Sequence, residues 1–470
     1  MGALEVAARL PRIEGRLVPP AGDDEPHVAT VGGAQQLETL EAVGAVDRPG
    51  TGGEADGELV AGVLGHGDRV DAHDSHAAHC RPGCDTARMD DVTSLTAELV
   101  AIDSVNPGLV PGAAGEAEIV EHLRARLDAA GLGTHVVEAA SAGRPSLVAW
   151  TRPSRVEMSV CLTGHVDTVG VEGMDAPFEP RIRDDRLEGR GACDMLGGVA
   201  AIVLAAERAQ AADLPLQVVL ALVADEEDAS LGTTAVILAL RELDLHPEAV
   251  VVAEPTWLAQ TETLRGYAVV EVELRGRATH SSTPGEGVDA LDHLGRLLGR
   301  LRAEHERVAS LGGSWMCTSV SGGSSTFVVA DRARVVLERR TVAGEDADVE
   351  AEVASMLDDV RAEAPDLDAS CRIALRQDAW RADTDGPAAQ LSRTLADRLA
   401  ERGHAPAPFA APYWMEAALW QAAGIPAVVC GPAGGGLHAA DEWLDLRQLR
   451  DFADALTDTL TDLAGGPDAH

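Results

Sequence analysis

The sequence predicts an α/β protein: a mainly parallel sheet covered by helices, with a two-layer α+β domain inserted into it. Three observations lead there. From Met89 helical and strand patterns alternate, as they do when helices cross between parallel strands. Over residues 264–376 the text changes to half-exposed strands separated by two helices, and from 377 long helices and a buried strand return. At 470 residues the chain is also long enough for two sizeable cores.

Residues 1–88 are rich in Gly, Pro, Asp and His and have few sustained apolar periods. They are expected to be a disordered or non-native upstream extension, the natural start being Met89. Within them "HDSHAAHCRPGC" sets His73, His76, His79, Cys80 and Cys84 close together. That spacing matches no common zinc module, and no core surrounds it, so no site is assigned there.

The first part of the larger α/β domain is expected over residues 89–263. Leu95, Leu99 and Ile102 form a helical stripe that Asn106-Pro107 stops. Glu116–Ala130 is an amphipathic helix ended by Gly131, and Val156–Leu162 is a strand. Gly197–Ala211 reads as a helix, Leu216–Ala224 as a buried strand, Thr233–Leu243 as a helix and Ala249–Ala253 as a strand. In the insert, 264–376, "YAVVEVELRG" alternates with the period of a half-exposed strand. Val288–Arg302 follows as a helix, "ARVVLERRTV" as a strand, Asp348–Ala362 as a helix and "ASCRIALRQ" as a last strand. The second part of the larger domain, 377–470, has long helices around "IPAVVCGP".

The formal charge of −39 sets the chain against nucleic-acid phosphates, so no nucleic-acid partner is expected. The chain has no lysine; arginine carries all of its positive charge. Seven scattered cysteines do not read as a disulfide framework. No stretch reaches the roughly 18 apolar residues of a membrane span, and no basic region leads an apolar signal core. No membrane partner is expected, and the cytoplasm is the expected location.

The chemistry lies at strand ends, where sites collect in open α/β sheets. "LTGHVDTV" presents His165 and Asp167 where a buried strand breaks into polar residues. "GRGACDMLGG" sets Asp194 before a glycine-rich helix start, and "LALVADEEDAS" sets Glu226 and Glu227 after a buried strand. "AVVVAEPT" ends on Glu254, and "GPAGGGLHAADE" carries His438 in a glycine-rich loop. Taken singly, each has a bland explanation: Asp194 as a helix cap, the glutamates as a solvated edge, His438 as a loop residue. Gathered on one sheet edge, these acids would repel one another, and cations would resolve that repulsion. Imidazole with carboxylates fits zinc, with cobalt or manganese as alternatives. A workable division has Asp194 bridging two divalent ions, His165 and Glu254 completing one, and Glu227 and His438 the other. Asp167 is then free to orient the His165 ring, and Glu226 to act as general base.

In these motifs the chain resembles the dizinc hydrolases that include acetylornithine deacetylase, succinyl-diaminopimelate desuccinylase, aminoacylase and glutamate carboxypeptidase. The resemblance runs from about Met89 to Leu463 and implies a catalytic domain with an inserted lid that commonly dimerises. It also implies that His280, in "GRATHSSTPGEGVDA", reaches a partner subunit's site and stabilises an oxyanion. Arg340, in "ERRTVAGE", is implied as a grip on a substrate carboxylate. Two positions depart from the family pattern: Leu196 stands where a lysine is usual, and Phe327 where an asparagine is usual.

The expected activity is a metal-dependent amidohydrolase that cleaves an N-acyl amino acid with metal-activated water and Glu226 as base. A dipeptidase or carboxypeptidase with the same site is the alternative. A silent binding protein of the same fold is disfavoured because the ligand set and Glu226 are all present. The glycines of "GRGACDMLGG" do not form a dinucleotide-binding G-x-G-x-x-G context.

Overall fold

Strand residues here send alternate side chains into two different cores, which is how a sheet buried on both faces is built. The computed structural model describes residues 91–139, 143–405 and 407–465; the readings made for residues 1–88, including the His and Cys cluster, lie outside them. Helices α1 (Asp91–Val100) and α2 (Ala117–Ala129) come first. Strands β1 (Gly133–Glu138), β2 (Pro145–Trp150) and β3 (Met158–His165) follow. Helix α3 (Gly197–Ala211), β4 (Leu216–Val223), α4 (Leu231–Glu242) and β5 (Ala249–Val252) complete this part.

The chain then builds a second sheet from β6 (Gly266–Arg275), β7 (Ser314–Gly322), β8 (Arg332–Thr341) and β9 (Asp368–Gln377). The order is β7-β8-β6-β9 and every pairing is antiparallel. Helices α5 (Ala290–Ala309) and α6 (Val349–Glu363) share its core. Each helix is started by an aspartate: Asp289 accepts from the Leu291 N–H and Asp348 from the Ala351 N–H. On the central β6, Ala268, Val270, Val272 and Leu274 are buried while the residues between them are not, the alternation expected of one covered face. The chain leaves for this sheet after Leu264 and returns at Trp380, and these two residues are paired in a small separate sheet.

Helices α7 (Gly386–Glu401) and α8 (Ala417–Ala422), strand β10 (Ala427–Val429) and helix α9 (Leu446–Gly465) return to the first sheet. Its order is β1-β2-β4-β3-β5-β10. The pairings β4–β3, β3–β5 and β5–β10 are parallel. Val160 and Leu162 face a core shared with α1, α2, α3, α7 and α9, whereas Cys161 between them faces one shared with α4 and α8.

Two details differ from the sequence reading. The edge is an antiparallel hairpin, β1–β2; β2 is buried along nearly its whole length, so neither short segment alternates. Strand β3 runs on to His165 itself, so that residue is fixed by the strand ladder and not by a loop. The cysteines described, Cys161, Cys193, Cys317, Cys371 and Cys430, are unpaired. Among the described residues no helix is long and apolar enough to cross a membrane.

Candidate metal centre

Parallel strands β4, β3 and β5 end side by side, and residues at or just beyond those ends build the site. His165 closes β3 and is 1% exposed. After β4, Asp225 takes a left-handed backbone (φ 68°), which turns the chain sharply. That turn aims the N–H groups of Glu226 and Glu227 at the Asp167 carboxylate, at 3.1 and 3.2 Å. Glu254 lies just past β5 and is 5% exposed. The start of α3 passes close beneath it: a Cβ on Gly198 would stand 2.2 Å from the Ala253 carbonyl oxygen. Glycine is required at this approach.

The two oxygens of Asp194 face different histidines. Oδ1 lies 3.1 Å from His165 Nε2, and Oδ2 lies 3.2 Å from His438 Nε2. His438 Nε2 is also 3.1 Å from Glu227 Oε2, while His165 Nε2 is 4.0 Å from both Glu254 Oε1 and Glu226 Oε2. Two sets of ligand atoms result, His165–Asp194–Glu254 and Asp194–Glu227–His438, each with all its atoms within 4.8 Å of one another. The structure thus brings together six of the residues singled out from the sequence.

Electrostatics argue that this cluster fits cations. Burial, together with neighbouring carboxylates, raises the pKa of Glu226 and Glu254 well above the usual range, and raises Glu227 as well. Burial would also raise Asp194, but hydrogen bonds from His165 and His438 hold it below its ordinary value. His438 is pushed up to about 10 by Asp194 and Glu227. Glu227 Oε1 is buried with no hydrogen-bond partner. Such a buried acid group without enough positive charge is costly unless a cation joins it. The donor set of two imidazoles and three carboxylates suits two zinc, cobalt or manganese ions.

Asp167 is placed differently from expectation. The His165 ring Nδ1 lies 2.9 Å from the Asp167 backbone carbonyl oxygen, and the carboxylate stands farther off at 3.7 Å. That carboxylate instead holds the Glu226–Glu227 turn and accepts from Asn106 Nδ2 at 2.8 Å. His280 is exposed and bonds Ser282 Oγ in its own loop at 2.7 Å; among the described residues no hydrogen bond or ion pair joins it to the cluster. Arg340 pairs with Glu338 and stands 5.1 Å over the Tyr267 ring. The Tyr267 hydroxyl is pushed up to about 12 by burial and then by Glu226. Leu196 is fully buried among apolar neighbours, and Phe327 is 65% exposed.

Two supporting groups escaped the sequence reading. Glu442, 2% exposed, accepts from Arg190 Nη1 at 2.6 Å and from the N–H groups of Gly191, Cys193 and Asp194 at 3.0, 2.9 and 3.1 Å. It thereby clamps the loop that carries Asp194. Behind Asp167, Asn106 also bonds Asp225 at 3.2 Å, and Arg144 pairs with both Asp225 (2.8 Å) and Glu116 (2.5 Å). "HAADE" marked Glu442 as part of a motif, but nothing marked Glu116 or Arg144, which are distant in sequence and ordinary in type.

Residues 161–462 match the family described as Peptidase family M20/M25/M40. Acetylornithine deacetylase of Myxococcus xanthus is 30% identical over 395 residues, covering 78% of this chain and 96% of the relative. N-acetyl-L-citrulline deacetylase of Xanthomonas campestris is 29% identical over 395 residues, covering 78% and 98%. Among solved structures, a tripeptidase from Staphylococcus aureus superposes with a TM-score of 0.66 at 19% identity, covering 80% of this chain and 98% of that one. A dinuclear metal binding peptidase from Bacillus subtilis superposes with a TM-score of 0.60 at 14% identity, covering 80% and 98%. With a family match across most of the described fold and full-length deacetylase relatives, the chain belongs to peptidase family M20/M25/M40, hydrolases of amide bonds.

Proposed function

We propose that the chain is a metal-dependent deacylase of N-acyl amino acids. The observation that carries this reading is Asp194, whose two oxygens each face a histidine of a different ligand set. His165, Asp194 and Glu254 would hold one divalent ion, and Asp194, Glu227 and His438 the other. When bound, two such ions polarise a carbonyl and acidify water.

The chain's own residues supply the rest. Glu226, with a side chain 12% exposed and a raised pKa, stands beside the ligand sets and outside both of them. It takes the proton of the attacking water and passes it to the nitrogen of the leaving amine as the amide C–N bond breaks. Asp167 fixes Glu226 through the backbone N–H at 3.1 Å and leaves its carboxylate side chain free to work. In this reading His280 arrives from a second copy of the chain, docked through the inserted sheet, and donates to the developing oxyanion. Arg340 grips the substrate carboxylate.

Full-length deacetylase relatives favour an acyl group over a peptide. The test is Glu226→Gln, assayed on N-acetyl amino acids and dipeptides beside metal analysis. Metal content is expected to stay at the wild-type level while kcat falls by about 10²–10⁴. Unchanged turnover would remove Glu226 as the base, and a chain that binds no divalent metal would remove the whole reading.

A further inference from the structure

We propose that the substrate carries an aromatic or long aliphatic group, and that Trp257, Phe409 and Tyr413 form its seat beside the metal centre. The inference deepens the deacylase reading and rests on it. Aromatic residues are only 3% of the chain, yet these three meet in a row. Trp257 and Phe409 pack edge-on with centroids 6.2 Å apart, and Phe409 and Tyr413 do the same at 6.3 Å.

The row runs inward from solvent. Trp257 is 45% exposed, while Phe409 and Tyr413 are half-buried. The Tyr413 hydroxyl is buried with no hydrogen-bond partner. Burial raises its pKa, and the carboxylates of Glu254 and Asp194 add to that rise. At the other end the Trp257 indole donates to the Gly434 carbonyl at 3.2 Å. Gly434 lies in the loop leading to His438, and its own N–H donates to Cys193 Sγ, the neighbour of Asp194. Trp257 itself follows Glu254 by three positions. The row is therefore tied to the segments that carry Glu254, Asp194 and His438.

Packing alone does not account for Trp257. Trp257 and Leu258 both have left-handed backbones, φ 54° and 62°, an unfavourable conformation for bulky residues. This turn buries Leu258 to 3% exposure and holds the indole outward. A large apolar ring held half in water, on a segment that also carries a member of the carboxylate cluster, suits a ligand with one polar end and one apolar end. An N-acyl amino acid with an apolar group has that form: its amide faces the carboxylate cluster and its apolar part lies on the rings.

The test uses the full metal-loaded chain and compares kcat/KM for the N-acetyl derivatives of phenylalanine, leucine, glycine and ornithine. The corresponding glycyl dipeptides are included. The phenylalanine and leucine compounds are expected to exceed the glycine and ornithine compounds by about tenfold or more. Trp257→Ala is expected to cut the phenylalanine-to-glycine ratio by about fivefold or more, and Trp257→Phe to restore most of it. Circular dichroism checks that each exposed-site variant is folded. A preference for the ornithine compound, or a ratio that Trp257→Ala leaves unchanged, overturns the proposal while the deacylase reading stands. No hydrolysis of any compound by the loaded protein overturns both.

Discussion

Replacing Glu442 by alanine tests whether a single buried carboxylate holds the Asp194 loop in place. In the native protein Glu442 satisfies one guanidinium and three backbone N–H groups, all at 2.6–3.1 Å. Its partner Arg190 is itself 2% exposed. Breaking a buried ion pair by removing one partner costs about 3–5 kcal/mol, because the remaining charge stays buried and unpaired. The freed N–H groups cost more if water cannot reach them, so the expected loss is about 4 kcal/mol or more. The same change releases Asp194, and loss of such support lowers metal affinity by about 10–100-fold. Urea unfolding of metal-free protein measures the first quantity, and metal titration followed by fluorescence or calorimetry measures the second. If Glu442→Ala loses less than about 1 kcal/mol and binds metal with wild-type affinity, the clamp is not what positions Asp194.

Asp194→Asn is expected to weaken both ions together, since each ligand set uses one of its oxygens; metal analysis showing loss of only one ion would refute the bridging role. Arg144→Leu leaves Glu116 and Asp225 without their cation in a buried setting. It should cost about 3–5 kcal/mol in urea unfolding, and a loss within experimental error would show that the network is dispensable. The metal-free protein should lose stability as pH rises. Glu226, Glu227 and Glu254, and Glu416, the 2%-exposed residue that precedes α8, have folded pKa values above the ordinary 4.5, chiefly through burial, with Glu416 at about 7. Their stabilisation is present below about pH 4.5 and is lost as pH rises through the folded values. Raised His165 and His438 act in the same direction. The urea midpoint of chelated protein should therefore fall between pH 5 and 8 much more than that of loaded protein; parallel profiles would contradict the role assigned to the acid cluster.

The parts of the site that sequence made legible are those whose residue types are unusual at their positions. A histidine at the end of an apolar strand, or paired glutamates after "LALVAD", breaks a strong local pattern, and strand ends converge in a parallel sheet. A helix with a clear stripe, such as α5 with Leu294, Leu297 and Leu301 on its buried face, was readable for the same reason. The groups that support the ligands were not legible. Glu116 sits at a helix start and Arg144 just before a strand, where charged residues are common; only the fold brings them 2.5 Å apart. Asp167 was readable as a partner of His165 but not as a backbone one. Its carbonyl reaches Nδ1 because the chain curls back within two residues, a local geometry that residue type does not encode. Nothing in the sequence marked Trp257, since exposure and a left-handed backbone are properties of the turn.

The pairing of Leu264 with Trp380 gives the second sheet a narrow stalk: the outgoing and returning chains are neighbours, about 5 Å apart in a strand ladder. A short turn could bridge that gap, so excising residues 266–378 removes an appendage without cutting any strand of the six-stranded sheet. Such a shortened chain would keep Glu226, both ligand sets and the Trp257–Phe409–Tyr413 row while losing His280 and Arg340, which separates cation binding from the two roles proposed for the inserted sheet.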